Sequence, residues 1–358
     1  MSRTVFNEKA TGHITENYPL FFGEQMGVYD TVNRKYPQIF DLYNRQAGMI
    51  WYSSEVDVTR DRIDLLQARP DVVETMMLNI QWQTAMDSIA ARSVGTLLER
   101  HVTNPEMSSL IKVWGFFEDI HSQSYSDIVA NVFPDPTSML GEIMENESVM
   151  NRTRVLVKVF DELYNLPDDA PISLKREKMI LAFTAFYALE TISFMNSFTA
   201  TFTIAKNEKR FIGIGERVRL ICRDEMIHQH FAYEVLRIMR DIEKYPEWDK
   251  TYEARKEIVD SITQVEFDWN TYLTEGRQVI GLNKEFLDSV VKFFATMVYH
   301  KLDMEAPFER VYESPINHLN YYFDTSLIQT ANQELQQTGY KVGALVEDDV
   351  ENIEWVEV

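Results

Sequence analysis

Apolar residues along this chain recur at helical spacing almost throughout, and β-branched alternation is scarce. Pro70-Asp71 opens a helix that the pattern carries to about Arg100. Asn104-Pro105-Glu106 opens the next, with Asn104 as N-cap and Pro105 in the first turn, and Pro134 and Pro136 are read as its close. A third helical stretch runs from near Pro171 to about Lys206, and a fourth begins after Gly213 and Gly215 and stops before Pro246. Four such helices of about 25 to 35 residues would each be ~40–50 Å long. Two more are expected over 248–274, stopped by Gly276, and over 283–303. After about Gln336 the pattern dissolves into a tail rich in Glu and Asp, so the chain divides into an all-α bundle, 1–335, and a flexible acidic tail, 336–358.

One stretch breaks the amphipathic rule. Residues 181–205 are apolar on every side and carry a single charge, Glu190. Its Thr, Ser and Asn residues make a poor lipid phase, so a fully buried central helix is expected and no membrane span. A carboxylate in the middle of such a helix needs a partner, and a metal ion is one.

Composition narrows the partners. A formal net charge of −21 argues against nucleic acid and anionic membrane surfaces. The single cysteine, Cys222, excludes a disulfide framework and any multi-cysteine metal site, which fits a reducing cytoplasm. No apolar signal core follows the N-terminal Met1-Ser2-Arg3.

Two histidines sit three residues after a glutamate, Glu118–His121 and Glu225–His228, each pair on one face of a predicted helix. A dinuclear site in a four-helix bundle takes Glu-x-x-His from two helices and one carboxylate from each of the others. Asp87 on the first helix and Glu190 on the third complete that set. Oxygen-rich ligation with one imidazole per metal suits iron or manganese better than structural zinc. Asp119 and Asp127 lie off the ligand stripe, and His230 points elsewhere. Tyr125, four residues after His121, shares the stripe; its spacing is equally that of a core tyrosine or of a phenol beside the metals.

The stretch Glu118-Asp119-Ile120-His121-Ser122-Gln123-Ser124-Tyr125 resembles the signature of the small, radical-bearing subunit of class I ribonucleotide reductase. Trp51 with Glu55-Val56-Asp57-Val58, the run Ala188 to Phe194, and Arg223-Asp224-Glu225-Met226-Ile227-His228 extend the resemblance over most of the chain. It implies a ferritin-like bundle and the metal ligands Asp87, Glu118, His121, Glu190, Glu225 and His228, holding two iron ions with manganese as the alternative. It implies a stable radical on Tyr125, shielded by Phe194, Phe198 and Ile221, for which ordinary core packing is an equally good account. It assigns Trp51, Asp224 and His121 to a path from the metal to the surface, and Tyr340 to radical relay from the tail. It further implies a homodimer, dioxygen and an electron donor as reactants, and a large catalytic subunit docked by the tail that reduces ribonucleotides, diphosphates in the first instance. The chain itself has no Gly-rich phosphate loop and no dithiol, as that division of labour requires. The rival readings are another dimetal oxygenase, which would share the ligands, and a ferritin-like storage protein, which needs no radical path.

Overall fold

A computed structural model describes residues 4–12 and 18–324, which belong to one compact unit. Tyr340 and the expected boundary at 335/336 lie outside the described residues. No strand forms among the described residues; two isolated bridges, Phe21↔Val102 and Val279↔Leu282, are the only β contacts there.

The described residues fold mainly into helices. They are α1 Pro37–Ala47, α2 Asp61–Gln67, α3 Pro70–Ser93, α4 Pro105–Val132, α5 Pro136–Glu145, α6 Glu147–Tyr164, α7 Ile172–Ala188, α8 Phe194–Thr203, α9 Ile212–Arg237, α10 Glu247–Lys250, α11 Tyr252–Thr274, α12 Lys284–Lys301 and α13 Asn320–Phe323. Asn104 caps α4 as expected, its side chain accepting the Met107 N–H at 2.8 Å. Gly276, with φ +71°, follows the end of α11 in the left-handed region that glycine enters without a Cβ penalty.

Several boundaries differ from the sequence reading. Pro136 does not end structure but starts α5, with Asp135 capping Ser138 N at 3.0 Å; Asn146 then caps α6. Gly213 and Gly215 lie inside α9, which begins at Ile212. Gly213 is a point of close approach: a Cβ there would stand 2.6 Å from the Asp57 carbonyl oxygen, so the segment after Trp51 lies directly on the start of α9. Thr251 separates α10 from α11, and α1 and α2 add to the helices expected from the pattern.

Helices α3, α4, α7–α8 and α9 make the central bundle, with α1 covering α4 and α9, and α6, α11 and α12 enclosing the other side. The stretch Ile172–Glu208 is long and apolar enough to cross a membrane, yet its apolar window is wholly buried inside the protein. Two π-helical turns interrupt it, Leu189–Ser193 and Ile204–Glu208. The first carries Glu190, so a wide turn presents the lone carboxylate of the apolar stretch 181–205, a distortion that often accompanies functional positions.

Candidate metal centre

The four central helices bring the six expected ligands to one place. Asp87 comes from α3, Glu118 and His121 from α4, Glu190 from the π turn between α7 and α8, and Glu225 and His228 from α9; all six are fully buried. Ligand atoms of Glu118, His121, Glu225 and His228 all lie within 4.8 Å of one another. His121 Nδ1 stands 2.9 Å from Glu225 Oε1, 3.5 Å from Asp87 Oδ1 and 3.7 Å from Glu118 Oε2. His228 Nδ1 stands 2.7 Å from Glu225 Oε2 and 3.0 Å from Glu118 Oε1. Both imidazoles therefore turn Nδ1 toward the carboxylates.

The electrostatics are those of buried carboxylates crowded around two imidazoles. Burial pushes Asp87 up to about 8, His121 opposing and Glu225 and Glu118 adding to the rise. Burial, then Glu225 and Glu118, drives Glu190 well above the usual carboxylate range. Burial would raise Glu225 too, but His121 and His228 hold it low; the same contacts overcome the lowering effect of burial on His228 and lift it to about 9. Both oxygens of Asp87, both of Glu190, and one each of Glu118 and Glu225 have no hydrogen-bond partner. Orphaned buried carboxylates are costly, and the four carboxylates would balance two divalent cations that displaced the protons of the two imidazoles. The residues fit a dinuclear metal site.

Around this cluster lies a set of oriented neighbours. Asp224 Oδ2 accepts the Trp51 indole N–H at 2.6 Å and stands 3.2 Å from His121 Nε2. Burial would raise Asp224, but Arg223, with His121 and Trp51, holds it below the ordinary range. Arg223 donates to Asp224 Oδ1 through Nε at 3.1 Å and Nη2 at 2.9 Å, a role that its place in the chain next to Asp224 does not reveal. Trp114 also escapes a reading of the sequence: its indole N–H donates to Glu118 Oε1 at 2.7 Å, and the only signal is its position four residues before Glu118. The Trp51 and His121 rings lie parallel to within 30°, with centroids 6.3 Å apart.

Tyr125 is fully buried and its hydroxyl has no hydrogen-bond partner. Burial, then the charges of Asp87 and Glu225, raises its pKa well above 10. Phe194, Phe198 and Ile221 are fully buried, the two Phe rings stacked at 5.6 Å. Asp119 is exposed and Asp127 pairs with Arg217, so neither joins the centre; His230 lines a surface cavity of about 610 Å³ with Tyr187 and Tyr233.

The family described as "Ribonucleotide reductase, small chain" matches residues 29–315. Ribonucleoside-diphosphate reductase 1 subunit beta of Escherichia coli O157:H7 is 30% identical over 96% of this chain and 96% of that protein. Ribonucleoside-diphosphate reductase subunit beta of Enterobacteria phage T4 is 26% identical over 98% and 97%. Among solved structures, the ribonucleotide reductase R2 subunit from Clostridium botulinum superposes with a TM-score of 0.80 at 19% identity, covering 90% of this chain and 98% of that one. The dimanganese(II)-NrdF of Streptococcus sanguinis superposes at 0.65 with 14% identity, covering 84% and 99%.

Proposed function

The chain belongs to the ribonucleotide reductase small-chain family, and from that premise we propose that it is the small subunit of a ribonucleoside-diphosphate reductase in which Tyr125 carries a stable radical. The observation that carries the reading is a fully buried, unpartnered phenol on the same helical stripe as Glu118 and His121, in a chain with six buried ligands at one place. Asp87, Glu118, His121, Glu190, Glu225 and His228 hold the metals, two iron ions by preference and manganese by the same donors. When bound, these ions supply the reduction of dioxygen, with an external electron donor completing it.

The chain's own residues do the rest. Tyr125 gives up an electron and its phenolic proton to the dioxygen reduction that the bound metals would supply, and Asp87 is the charged group that bears most on the phenol. Close packing around Tyr125 excludes the water and reductants that would quench the radical. Asp224 fixes the His121 ring through Nε2 and receives the Trp51 N–H, so charge leaving through Trp51 has a proton acceptor beside it. The radical then passes by way of Tyr340 to a large subunit that binds the ribonucleotide, docked by residues 336–358, with the small subunit acting as a homodimer.

The test is the electron paramagnetic resonance spectrum after ferrous iron and oxygen are added to metal-free protein, with Tyr125→Phe alongside. A tyrosyl signal lost in the variant is expected. Metal uptake with no signal in either protein would overturn the radical reading in favour of an oxygenase or storage role. For the tail, removal of residues 340–358 is expected to abolish large-subunit binding and leave metal loading unchanged.

A further inference from the structure

Away from the metals the core buries another charged pair that the reaction does not use. Arg152 on α6 and Glu266 on α11 make a two-pronged ion pair, Nε to Oε1 at 3.0 Å and Nη2 to Oε2 at 2.6 Å, with side chains 1% and 0% exposed. Asn196 donates to Glu266 Oε2 at 2.9 Å and to Asn270 Oδ1 at 2.8 Å. The guanidinium carbon lies 3.5 Å from the ring centroid of Trp82 and 4.4 Å from that of Trp269. Glu266 meets the guanidinium at its edge, so the cation faces the two indoles. Desolvating such a pair is expensive, and hydrophobic residues of similar volume would serve packing as well.

Position gives the pair a consequence. Trp82 is five residues before ligand Asp87 on α3, about 7.5 Å along the helix axis, and its ring meets that of Phe194 edge-on at 5.6 Å. Trp269 stands 5.6 Å from Tyr272, which lines a surface groove. Oxidisable rings thus lead from the helix that carries Asp87 to the exterior. A leak along them would have Trp82 give one electron and its Nε1 proton to the Tyr125 phenoxyl, restoring the phenol and leaving an indolyl radical.

The four tryptophans buried among the described residues, Trp51, Trp82, Trp114 and Trp269, differ in the two features that govern this step. Trp51 and Trp114 each donate Nε1–H to a carboxylate, Asp224 at 2.6 Å and Glu118 at 2.7 Å. Trp82 and Trp269 have no acceptor for Nε1–H, and each lies under a cation. A carboxylate at the N–H stabilises the oxidised indole and takes its proton. A positive charge over the π face attracts the neutral ring and opposes removal of an electron. Burial draws Arg152 down to about 10 against the pull of Glu266, which leaves it charged at neutral pH.

We propose that Arg152 is a redox insulator: held by Glu266 between Trp82 and Trp269, it makes both indoles hard to oxidise, so that oxidising equivalents near Tyr125 leave through Trp51. The proposal rests on the radical reading above, but its first test does not need the metals. All four indoles are at most 2% exposed, so solvent access does not rank them. Metal-free protein is treated with a photochemically generated one-electron oxidant, and oxygen addition at each tryptophan is read by peptide mass spectrometry. Trp51 and Trp114 are expected to exceed Trp82 and Trp269 by about threefold or more. Equal oxidation, or the reverse order, overturns insulation.

The variant pair separates insulation from packing. Replacing both partners, Arg152→Gln with Glu266→Gln, is expected to raise Trp82 oxidation by about threefold and shorten the life of the tyrosyl signal, while Arg152→Lys retains the cation and keeps Trp82 oxidation low. Unchanged Trp82 oxidation in the folded double variant, or an equal rise in Arg152→Lys, sinks the idea. Should the double variant not fold, the ranking in the unaltered protein and in Arg152→Lys decides. Absence of any tyrosyl signal in the unaltered protein would count against the radical reading, and the order of indole oxidation would still uphold or overturn the insulating role of Arg152.

Discussion

Asp224 and Trp51 share the shortest hydrogen bond around the metal centre, 2.6 Å from the indole N–H to Oδ2, and the same oxygen stands 3.2 Å from His121 Nε2. One carboxylate thus holds both the His121 ring and the Trp51 indole, the two groups that the proposed outward path joins. Asp224→Asn keeps the size and removes the charge. Metal affinity is expected to fall by about 10–100-fold, read by titration of metal-free protein. Unchanged affinity would take Asp224 out of the centre.

Tyr125→Phe is expected to leave stability unchanged or raise it by up to about 1 kcal/mol, because the hydroxyl it removes is buried without a partner. Chemical denaturation checks this alongside the loss of the tyrosyl signal. A loss of several kcal/mol would mean that the hydroxyl has a bond in the folded protein.

Metal loading should stabilise the fold strongly, since it neutralises carboxylates that crowd one another. At a hundredfold excess over its dissociation constant, each bound ion is expected to add about 2.7 kcal/mol. Thermal melts with and without ferrous iron under argon, or with manganese, measure it. Glu190→Ala should shrink the metal-induced rise in Tm; the same rise in variant and parent would exclude Glu190 as a ligand.

Asp61 gives a pH signature remote from the metals. Its carboxylate accepts the N–H groups of Gly213 at 3.2 Å and Ile214 at 2.6 Å at the start of α9, yet burial carries its pKa to about 6, with Asp64 and Asp57 adding to the rise. That folded value lies above the unfolded one of about 3.9. The proton is therefore bound more tightly in the folded state: its stabilisation is full below about pH 4 and is lost as pH rises through about 6. Asp61→Asn should flatten that part of the stability profile, by about 1–2 kcal/mol after solvent screening. An unaltered slope between pH 4 and 6 would refute the assignment.

The paired Glu-x-x-His spacings, the Asn104 cap and the isolation of Glu190 are legible because each is local, set by neighbours within one helical turn. Helices α5 and α6 are hidden because Pro134 and Pro136 read as an end, whereas Asp135 and Pro136 also form a start. The Arg152–Glu266 pair joins residues 114 positions apart, and Arg223 has the look of an ordinary surface cation until the fold turns it onto Asp224. The π turn at Glu190 leaves no mark either, since a wide turn in a uniformly apolar helix keeps every side buried.

That turn has a practical meaning for anyone aligning or engineering this chain. A wide turn is a place where a helix accommodates an additional residue, so the reading frame of its side chains differs before and after. Excising one of the five residues Leu189–Ser193 would let the turn relax to ordinary pitch with both flanks kept in register, whereas the same excision elsewhere in the helix would rotate one flank against the other by about 100°. The damage at the turn would then be confined to how Glu190 is presented, with every ligand type still written in the gene.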